Sequence, residues 1–294
     1  MKTKSSHPKI YLNKLNENWI VDRFRHEWYS NNPSFSTRNI YRSDLIWLIA
    51  PWNWKNVKPR QLTKRKVLCS IHHIDEDKYD ILESKNFAER DEYVDQYHVI
   101  SNKTAEQVAK LTDKKITKLP FWLNTNIWFE ISEKKLLREK YNLNESDYII
   151  GSFQRDSEGH DPKKPKLSKG PDRLIEILID LKKSKKNLHV VLTGLRRDYI
   201  VNQLVKNNIK YSYFKMKDFK EINELYNCLD LYIVSSRYEG GPQAILECGV
   251  TRTPIISTDV GIASEILSST SIFDMNNFQK ATPNVEYAYN NSIK

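Results

Sequence analysis

The chain has 294 residues, a length that suggests two domains, each able to bury a core of its own. Hydrophobic residues make up 39% and charged residues 29% of it, with only 8 glycines and 11 prolines, which excludes collagen-like, low-complexity and wholly disordered proteins. The formal net charge of +10 favours anionic partners such as nucleotides, phosphorylated substrates, nucleic acid or anionic lipid.

The sequence lacks an apolar run long enough to cross a bilayer, and its basic N-terminus is not followed by the apolar core of a signal peptide. We therefore expect a cytoplasmic protein. Its three cysteines, Cys69, Cys228 and Cys248, are far apart and without metal-ligand spacing, so neither a disulfide nor a zinc site is expected.

Short apolar runs alternate with polar, helix-like segments along the whole chain, which is typical of parallel sheets with crossover helices. The runs are residues 9–12, 45–50, 67–71, 97–101 and 116–121, then 148–151, 189–192, 211–214, 231–234 and 254–257. This pattern predicts two doubly wound α/β domains that meet near residue 140. Because ligands bind beyond the carboxyl ends of such strands, two facing domains predict a site in the cleft between them.

Glycine and tryptophan are divided between the two halves. All eight glycines follow residue 150, and all seven tryptophans precede it. Glycine lets a backbone approach phosphate closely, whereas clustered tryptophans offer flat apolar faces. The sequence therefore predicts a phosphate-handling half joined to an aromatic-rich half.

Residues 235–249 follow a predicted buried strand and are expected to form a loop and then a helix. Pro242 suits the first turn of that helix and Gly249 its C-terminal cap. The Gly240 and Gly241 pair precedes the helix N-terminus, where free amides and the positive dipole end suit diphosphate or sugar oxygens.

Two glutamates flank this turn. Glu247, just over one helical turn in, can accept both hydrogen bonds of a ribose diol, and Glu239 would face a neighbouring part of the same ligand. The alternative is that both are solvated charges on a helix face.

This segment resembles the group-1 (family 4) glycosyltransferases, which depend on nucleotide sugars and have the GT-B fold. Their signature is two glutamates separated by seven residues after a strand ending in Ser, here Glu239 and Glu247, followed by a Pro-centred strand and a Gly-containing loop, here 253–261. The resemblance implies two facing Rossmann-like domains, an acceptor-binding domain at 1–140 and a nucleotide-sugar-binding domain at 141–280. It also implies a terminal helix at 281–294 that returns to the first domain.

The resemblance implies a donor site in the second domain. Arg155 and Lys169 would bind the donor diphosphate, with Lys166 competing for the lysine position because residues 156–164 are an insertion relative to the family pattern. Fixed cations stabilise a diphosphate leaving group, so neither a metal nor a cofactor besides the nucleotide sugar is expected. Glu239 would hold the donor sugar and Glu247 the ribose, with Gly240, Gly241 and Gln243 beside them. The alternative for the lysines is a solvated basic loop.

In the first domain, the resemblance places His72 or His73 against the transferred sugar or the acceptor, as part of a catalytic set with Glu239. Adjacent residues on a strand point to opposite faces, so we expect one histidine to be functional and the other structural. Trp47 is expected in the core, while Trp52 and Trp54 either stack on acceptor sugar rings or fill the core. Residues 14–19 hold no glycine where many relatives carry a Gly-Gly loop.

The prediction is a retaining, metal-independent transfer of a hexose from a nucleoside diphosphate sugar to a hydroxyl of a glycan, a lipid-linked acceptor or a small molecule. One alternative is an inactive scaffold protein that binds nucleotide sugars, and a less favoured one is a basic nucleic-acid-binding protein. The lysines at 182–186 either cap a helix end or contact an anionic membrane from its inner face.

Overall fold

The structure is a computed structural model that describes residues 7–15, 20–159, 161 and 163–294. It divides the chain into two compact units, residues 1–122 and residues 123–294. Among the described residues, no helix is both long enough and apolar enough to cross a membrane. Cys69, Cys228 and Cys248 are buried free thiols, as predicted.

The first unit contains a five-stranded parallel sheet with the strands in chain order. Neighbouring residues of a strand enter opposite cores, since Ile46 and Leu48 pack on one face of the sheet while Trp47 and Ile49 pack on the other. Both faces are therefore covered by helices. The elements are β1 (Ile10–Leu12), α1 (Ile20–Asn31), β2 (Leu45–Leu48), α2 (Pro59–Leu62), β3 (Lys66–Ile71), α3 (Ile81–Asp91), β4 (Gln96–Val99), α4 (Asn102–Ala109) and β5 (Lys115–Lys118).

The second unit contains a six-stranded parallel sheet in the order β11-β10-β9-β6-β7-β8. From β6 the chain adds β7 and β8 on one side, and it then crosses back to add β9, β10 and β11 on the other side. The strand order therefore reverses between the neighbours β6 and β9. In open α/β sheets, such a switch point is where ligands bind. The elements are α5 (Lys134–Lys140), β6 (Tyr148–Ser152), α6 (Pro171–Ser184), β7 (Leu188–Thr193), α7 (Asp198–Lys206), β8 (Lys210–Phe214), α8 (Phe219–Asn227), β9 (Leu231–Val234), α9 (Gln243–Val250), β10 (Ile255–Thr258), α10 (Ala263–Ile266), β11 (Ile272–Phe273) and α11 (Val285–Ser292).

Each of the ten predicted apolar runs overlaps a strand, and the predicted doubly wound α/β class is confirmed. The short strand β11 was not predicted, because two residues carry no periodic signal.

The boundary between the units lies earlier than the predicted position near residue 140. Residues 123–131 join the second unit because Trp128 is buried in its core. The backbone amide of Phe129 donates to Asn223 Oδ1 at 3.1 Å, and that of Ile131 donates to Asn227 Oδ1 at 2.8 Å. The side chains of α8 thus hold this segment as if it were a further layer of the second unit.

The terminal helix α11 packs against α9 and is grouped with the second unit. The family resemblance predicts instead that residues 281–294 return to the first domain. Gly249 lies inside α9 and faces α11, where a Cβ atom would overlap the Ser292 side chain and come within 3.1 Å of the Ala288 carbonyl oxygen. It is therefore not the predicted C-terminal cap. Arg252, with φ +54°, takes the left-handed position after the helix.

We expect Gly249→Ala to lower the melting temperature by several degrees, because the added methyl group must displace α11 at a cost of about 1–3 kcal/mol. Differential scanning calorimetry measures the effect. Adding Ser292→Gly, which removes the side chain that the methyl group meets, should restore most of the loss. An unchanged melting temperature in Gly249→Ala would contradict this packing.

Candidate functional site

The candidate site of the second unit lies at the carboxyl ends of β6 and β9, at the switch point. Two glycines bring its loops together. Gly170 has φ +60° and Gly261 has φ +51°, a conformation that other residues rarely adopt. A Cβ atom on Gly170 would overlap the carbonyl oxygen of Ser235, and one on Gly261 would overlap that of Gly240. The loop after β9 is therefore held between the loop before α6 and the loop after β10.

Lys169 and Glu239 meet at this point and form an ion pair. The Ser236 hydroxyl donates to the same carboxylate oxygen of Glu239 at 3.1 Å, and the side chains of Lys169 and Glu239 are 19% and 10% exposed. A partly desolvated pair is held more firmly than a surface pair, since less water competes for it. The structure thus brings together the lysine and the first glutamate that the sequence singled out.

Lys166, the competing lysine, directly precedes the short helical turn at residues 167–169. Its backbone amide donates to the carbonyl oxygen of Asp156 at 2.8 Å, and its side chain is half-buried. Lys169 forms the ion pair with the signature glutamate Glu239.

Glu247 lies within α9 and is 7% exposed. The hydroxyl of Tyr226, a residue of α8, donates to Glu247 Oε2 at 2.9 Å. α9 begins at Gln243, directly after Pro242, and no side chain among the described residues caps its first turn. Gly240 is buried, whereas Gly241 and Gln243 are half-buried. The backbones of the two glutamates are therefore held differently, because Glu239 lies on a loop and Glu247 lies on a helix.

The start of the insertion at 156–164 is joined to the residue that follows it by a bridge between Ser157 and Pro165. Its anchor is a buried ion pair, in which Arg197 Nε donates to Asp156 Oδ2 at 2.9 Å while the guanidinium also donates to Ser152 and Thr193. Asp156 Oδ1 is buried without a hydrogen-bond partner among the described residues. Burial raises the pKa of Asp156 to about 6, although the charge of Arg197 opposes the shift.

Arg155 precedes this anchor, and its side chain is exposed. Its Nε donates to the Ser157 carbonyl oxygen at 2.9 Å. Partial burial and the neighbouring charge of Arg196 lower the pKa of Arg155, so two guanidinium groups lie near each other at this end of the sheet. The sequence identified Arg155 but missed Arg197, because a lone arginine after β7 matches no pattern.

In the first unit, His72 follows β3 and is half-buried. Its ring stacks on Phe121 with centroids 5.3 Å apart, and Trp52 lies 5.4 Å away. The Ile49 carbonyl oxygen lies 2.8 Å from His72 Nε2, and a carbonyl only accepts, so Nε2 carries the hydrogen and Nδ1 is an acceptor in the neutral ring. Burial lowers the pKa of His72 to about 4. His73 is exposed.

Three tryptophans of the first unit differ clearly in their exposure to solvent. Trp47 and Trp54 are buried, at 7% and 8% exposure, whereas Trp52 is 45% exposed beside His72. Trp47 Nε1 donates to Ser70 Oγ at 2.8 Å, which in turn lies 2.8 Å from His98 Nδ1. The core prediction for Trp47 is confirmed, and of the two tryptophans left open only Trp52 is accessible.

Three further predictions concern the glycine-free loop at 14–19, the lysines at 182–186 and the expected lack of a metal site. Residues 16–19 of the glycine-free loop lie outside the described residues, but Asn13, just before it, bridges to Ala50 through its side-chain amide. Lys182 donates to the carbonyl oxygens of Asn207 and Asn208 beyond the end of α7. Within the described ranges, no group of three or more His, Cys, Asp or Glu side chains is arranged to hold a metal ion.

The two doubly wound units and this set of side chains define a GT-B glycosyltransferase. The family model described as "Glycosyl transferases group 1" matches residues 133–293, which is 161 of the 294 residues. The chain therefore belongs to the group 1 glycosyltransferases. No curated protein sequence matches it.

Solved structures with the same fold are distant in sequence. The chain is similar to the Anabaena protein HepE in complex with UDP-glucose, with 13% identity and a TM-score of 0.73 over 98% of this chain and 94% of that one. It is similar to sucrose-phosphate synthase from Thermosynechococcus elongatus, with 14% identity and a TM-score of 0.66 over 92% and 75%. A glycosyltransferase from Rickettsia africae matches with 17% identity and a TM-score of 0.61 over 96% and 78%. These likenesses confirm the predicted GT-B fold.

The lowered pKa of His72 predicts a loss of stability in acid. Because the folded-state pKa of about 4 lies below the unfolded value of 6.5, protonation favours unfolding as the pH falls from 6.5 towards 4. Between pH 7 and pH 5 we expect this residue to remove about 2 kcal/mol from the free energy of unfolding. Urea unfolding at both pH values, compared with His72→Gln, isolates the effect, since glutamine retains a donor but does not titrate. Equal losses in both proteins would contradict the assignment.

Proposed function

We propose that the protein transfers a hexose from a nucleoside diphosphate sugar to an acceptor hydroxyl. The observation that carries the proposal is the ion pair of Lys169 with Glu239 at the switch point, in a chain that belongs to the group 1 glycosyltransferases. Glu247, on the helix that follows, supplies a second, nearly buried carboxylate.

The diphosphate would be bound by cations rather than by a metal ion. As the bond from the sugar to the diphosphate breaks, the leaving group gains negative charge, which Lys169 and Arg155 would stabilise. Glu239 keeps Lys169 in place before the donor arrives, and its carboxylate would then accept hydrogen bonds from sugar hydroxyls. Holding the lysine in advance reduces the reorganisation needed during the reaction.

Glu247 would bind the ribose diol. The base has no side-chain signature, and UDP is the first nucleotide to test because the HepE structure contains UDP-glucose. We propose retention at the anomeric carbon through front-face attack, in which the departing diphosphate stays close to the incoming hydroxyl and no protein nucleophile is required.

In the first unit, His72 and Trp52 are the proposed contacts for a carbohydrate acceptor or the transferred sugar. The His72 ring is neutral at physiological pH and can accept a hydrogen bond from a sugar hydroxyl through Nδ1. The exposed indole of Trp52 offers a flat apolar face on which a sugar ring can stack. His73, the alternative of the two histidines, is exposed.

Thermal unfolding with UDP, GDP, ADP, dTDP and CMP in the presence of EDTA tests the donor site. One nucleotide at about 100 times its Kd should add about 2.7 kcal/mol and raise the melting temperature by several degrees. Glu247→Ala should lose this stabilisation, and Glu145→Ala, which changes an exposed glutamate of the same unit, should keep it.

No stabilisation by any nucleotide would overturn the donor site, and stabilisation that needs Mg²⁺ would overturn metal independence. The sugar nucleotide of the stabilising base is then incubated with a panel of aryl glycosides, and the anomeric configuration of any product is determined by NMR. Binding without transfer to any acceptor would favour the inactive scaffold.

We expect Trp52→Ala to raise the KM for a glycoside acceptor from that panel about tenfold, because stacking on an aromatic ring contributes about 1 kcal/mol or more. The KM for the donor should stay within about twofold. Steady-state kinetics measures both constants. Tyr41→Ala removes another exposed aromatic side chain of the first unit and should change neither. Equal changes in both constants for Trp52→Ala would contradict a role in acceptor binding.

A further inference from the structure

We propose that Tyr226 is a positioning residue for the donor site, which fixes the Glu247 carboxylate in the orientation that accepts the two ribose hydroxyls. The inference rests on the proposed function and adds to it a residue that lies outside the sequence signature. Tyr226 would act only through Glu247, without contacting the nucleotide.

The contact joins two buried side chains on neighbouring helices. Tyr226 is 2% exposed on α8 and Glu247 is 7% exposed on α9. The phenol oxygen lies 2.9 Å from Glu247 Oε2. A hydrogen bond to an ionised partner is roughly twice as strong as one between neutral groups. The carboxylate of a free glutamate rotates easily, so a fixed donor on one oxygen sets the direction of the other lone pairs.

The phenol is held firmly and always has a proton to donate. Its ring packs 4.8 Å from Phe153 and 5.4 Å from Tyr232, and Trp128 approaches it edge-on at 5.8 Å. Burial, reinforced by the negative charge of Glu247, raises the pKa of Tyr226 well above its usual range. The hydroxyl therefore remains protonated at physiological pH and can donate to the carboxylate throughout.

The Tyr226 hydroxyl donates to one carboxylate oxygen, and a carboxylate offers about four acceptor positions when it is ionised. A ribose diol would use two of them. The Tyr226 ring also packs against Phe153, which directly follows β6. These rings therefore connect the carboxyl end of β6, where the candidate site lies, to Glu247.

Calorimetric titration with the nucleoside diphosphate that stabilises the protein, and with its 2′,3′-dideoxy form, tests the proposal. Wild type should bind the ribose form more tightly. Tyr226→Phe should weaken binding of the ribose form about tenfold and leave binding of the dideoxy form within about twofold. A purely structural defect would weaken both nucleotides equally.

Tyr141→Phe is the matched control, because the Tyr141 hydroxyl donates to the buried carboxylate of Glu224 in the same unit. It should change neither affinity. In a Glu247→Gln background, Tyr226→Phe should have no further effect on the preference for ribose, since the coupling passes through the carboxylate.

Three results would overturn the inference. They are equal losses for both nucleotides in Tyr226→Phe, an unchanged preference for ribose in that variant, and an additive effect in the Glu247→Gln background. If wild type binds a nucleotide but shows no preference for the ribose form, the ribose role of Glu247 fails, and Tyr226 loses its proposed role with it. If wild type binds no nucleotide at all, the proposed donor site itself fails.

Discussion

The reversal of strand order between β6 and β9 is the constraint on which the second unit depends. Because these two strands pair while their connections leave in opposite directions, the loops at their carboxyl ends diverge and leave a place for a ligand. Gly151 is closely packed at this pairing, since a Cβ atom there would overlap the end of the Leu229 side chain and come within 3.1 Å of the Tyr232 ring. Gly170 and Gly261 then bring the diverging loops back over the strand ends. The sheet therefore fixes where the site lies, and the glycines fix how closely its walls approach.

Three ion pairs hold those walls, and they differ in burial. Arg197 and Asp156 are fully buried, Lys169 and Glu239 are partly buried, and Arg237 with Asp172 is half-exposed, with two hydrogen bonds between guanidinium and carboxylate. A buried pair repays its desolvation only when its geometry is well determined, so such pairs are weak evidence for stability. Each of these pairs connects the segment after β6, either its loop or the first turn of α6, to a loop after β7 or β9. Their common effect is to define positions near the proposed diphosphate, where a displacement of one loop would separate the cations.

The sequence predicted the parts of this molecule that have a repeating or motif-based signal. Buried parallel strands are short apolar runs, so each of the ten predicted runs overlaps a strand. The glutamate signature predicted Glu239 and Glu247, and a separate motif predicted Lys169 with Lys166 as its competitor. Residues that act through a single tertiary contact carry no such signal. Tyr226 and Arg197 are ordinary members of a helix and a loop until the fold brings Glu247 and Asp156 against them. The position of the unit boundary was predicted wrongly for the same reason. It depends on a tertiary contact, the packing of Trp128 in the core of the second unit. Gly249 was assigned as a cap because sequence position alone does not reveal which helix packs against it.

The proposed donor and acceptor sites give a physical reason for the unequal distribution of glycine and tryptophan along the chain. Phosphate is bound by groups that must come close to it, so the second unit needs loops without side chains where backbones meet, and Gly170 and Gly261 provide them. A neutral sugar presents hydroxyls and a weakly apolar ring face, which suit an indole and an uncharged imidazole. The His72 ring packs against Phe121 and is half-buried, and this desolvation keeps it neutral. Donor recognition would therefore depend on backbone shape and fixed charge, and acceptor recognition on rigid rings. If Trp52 binds the acceptor as proposed, substitutions around it would change acceptor choice without disturbing the residues proposed to bind the diphosphate.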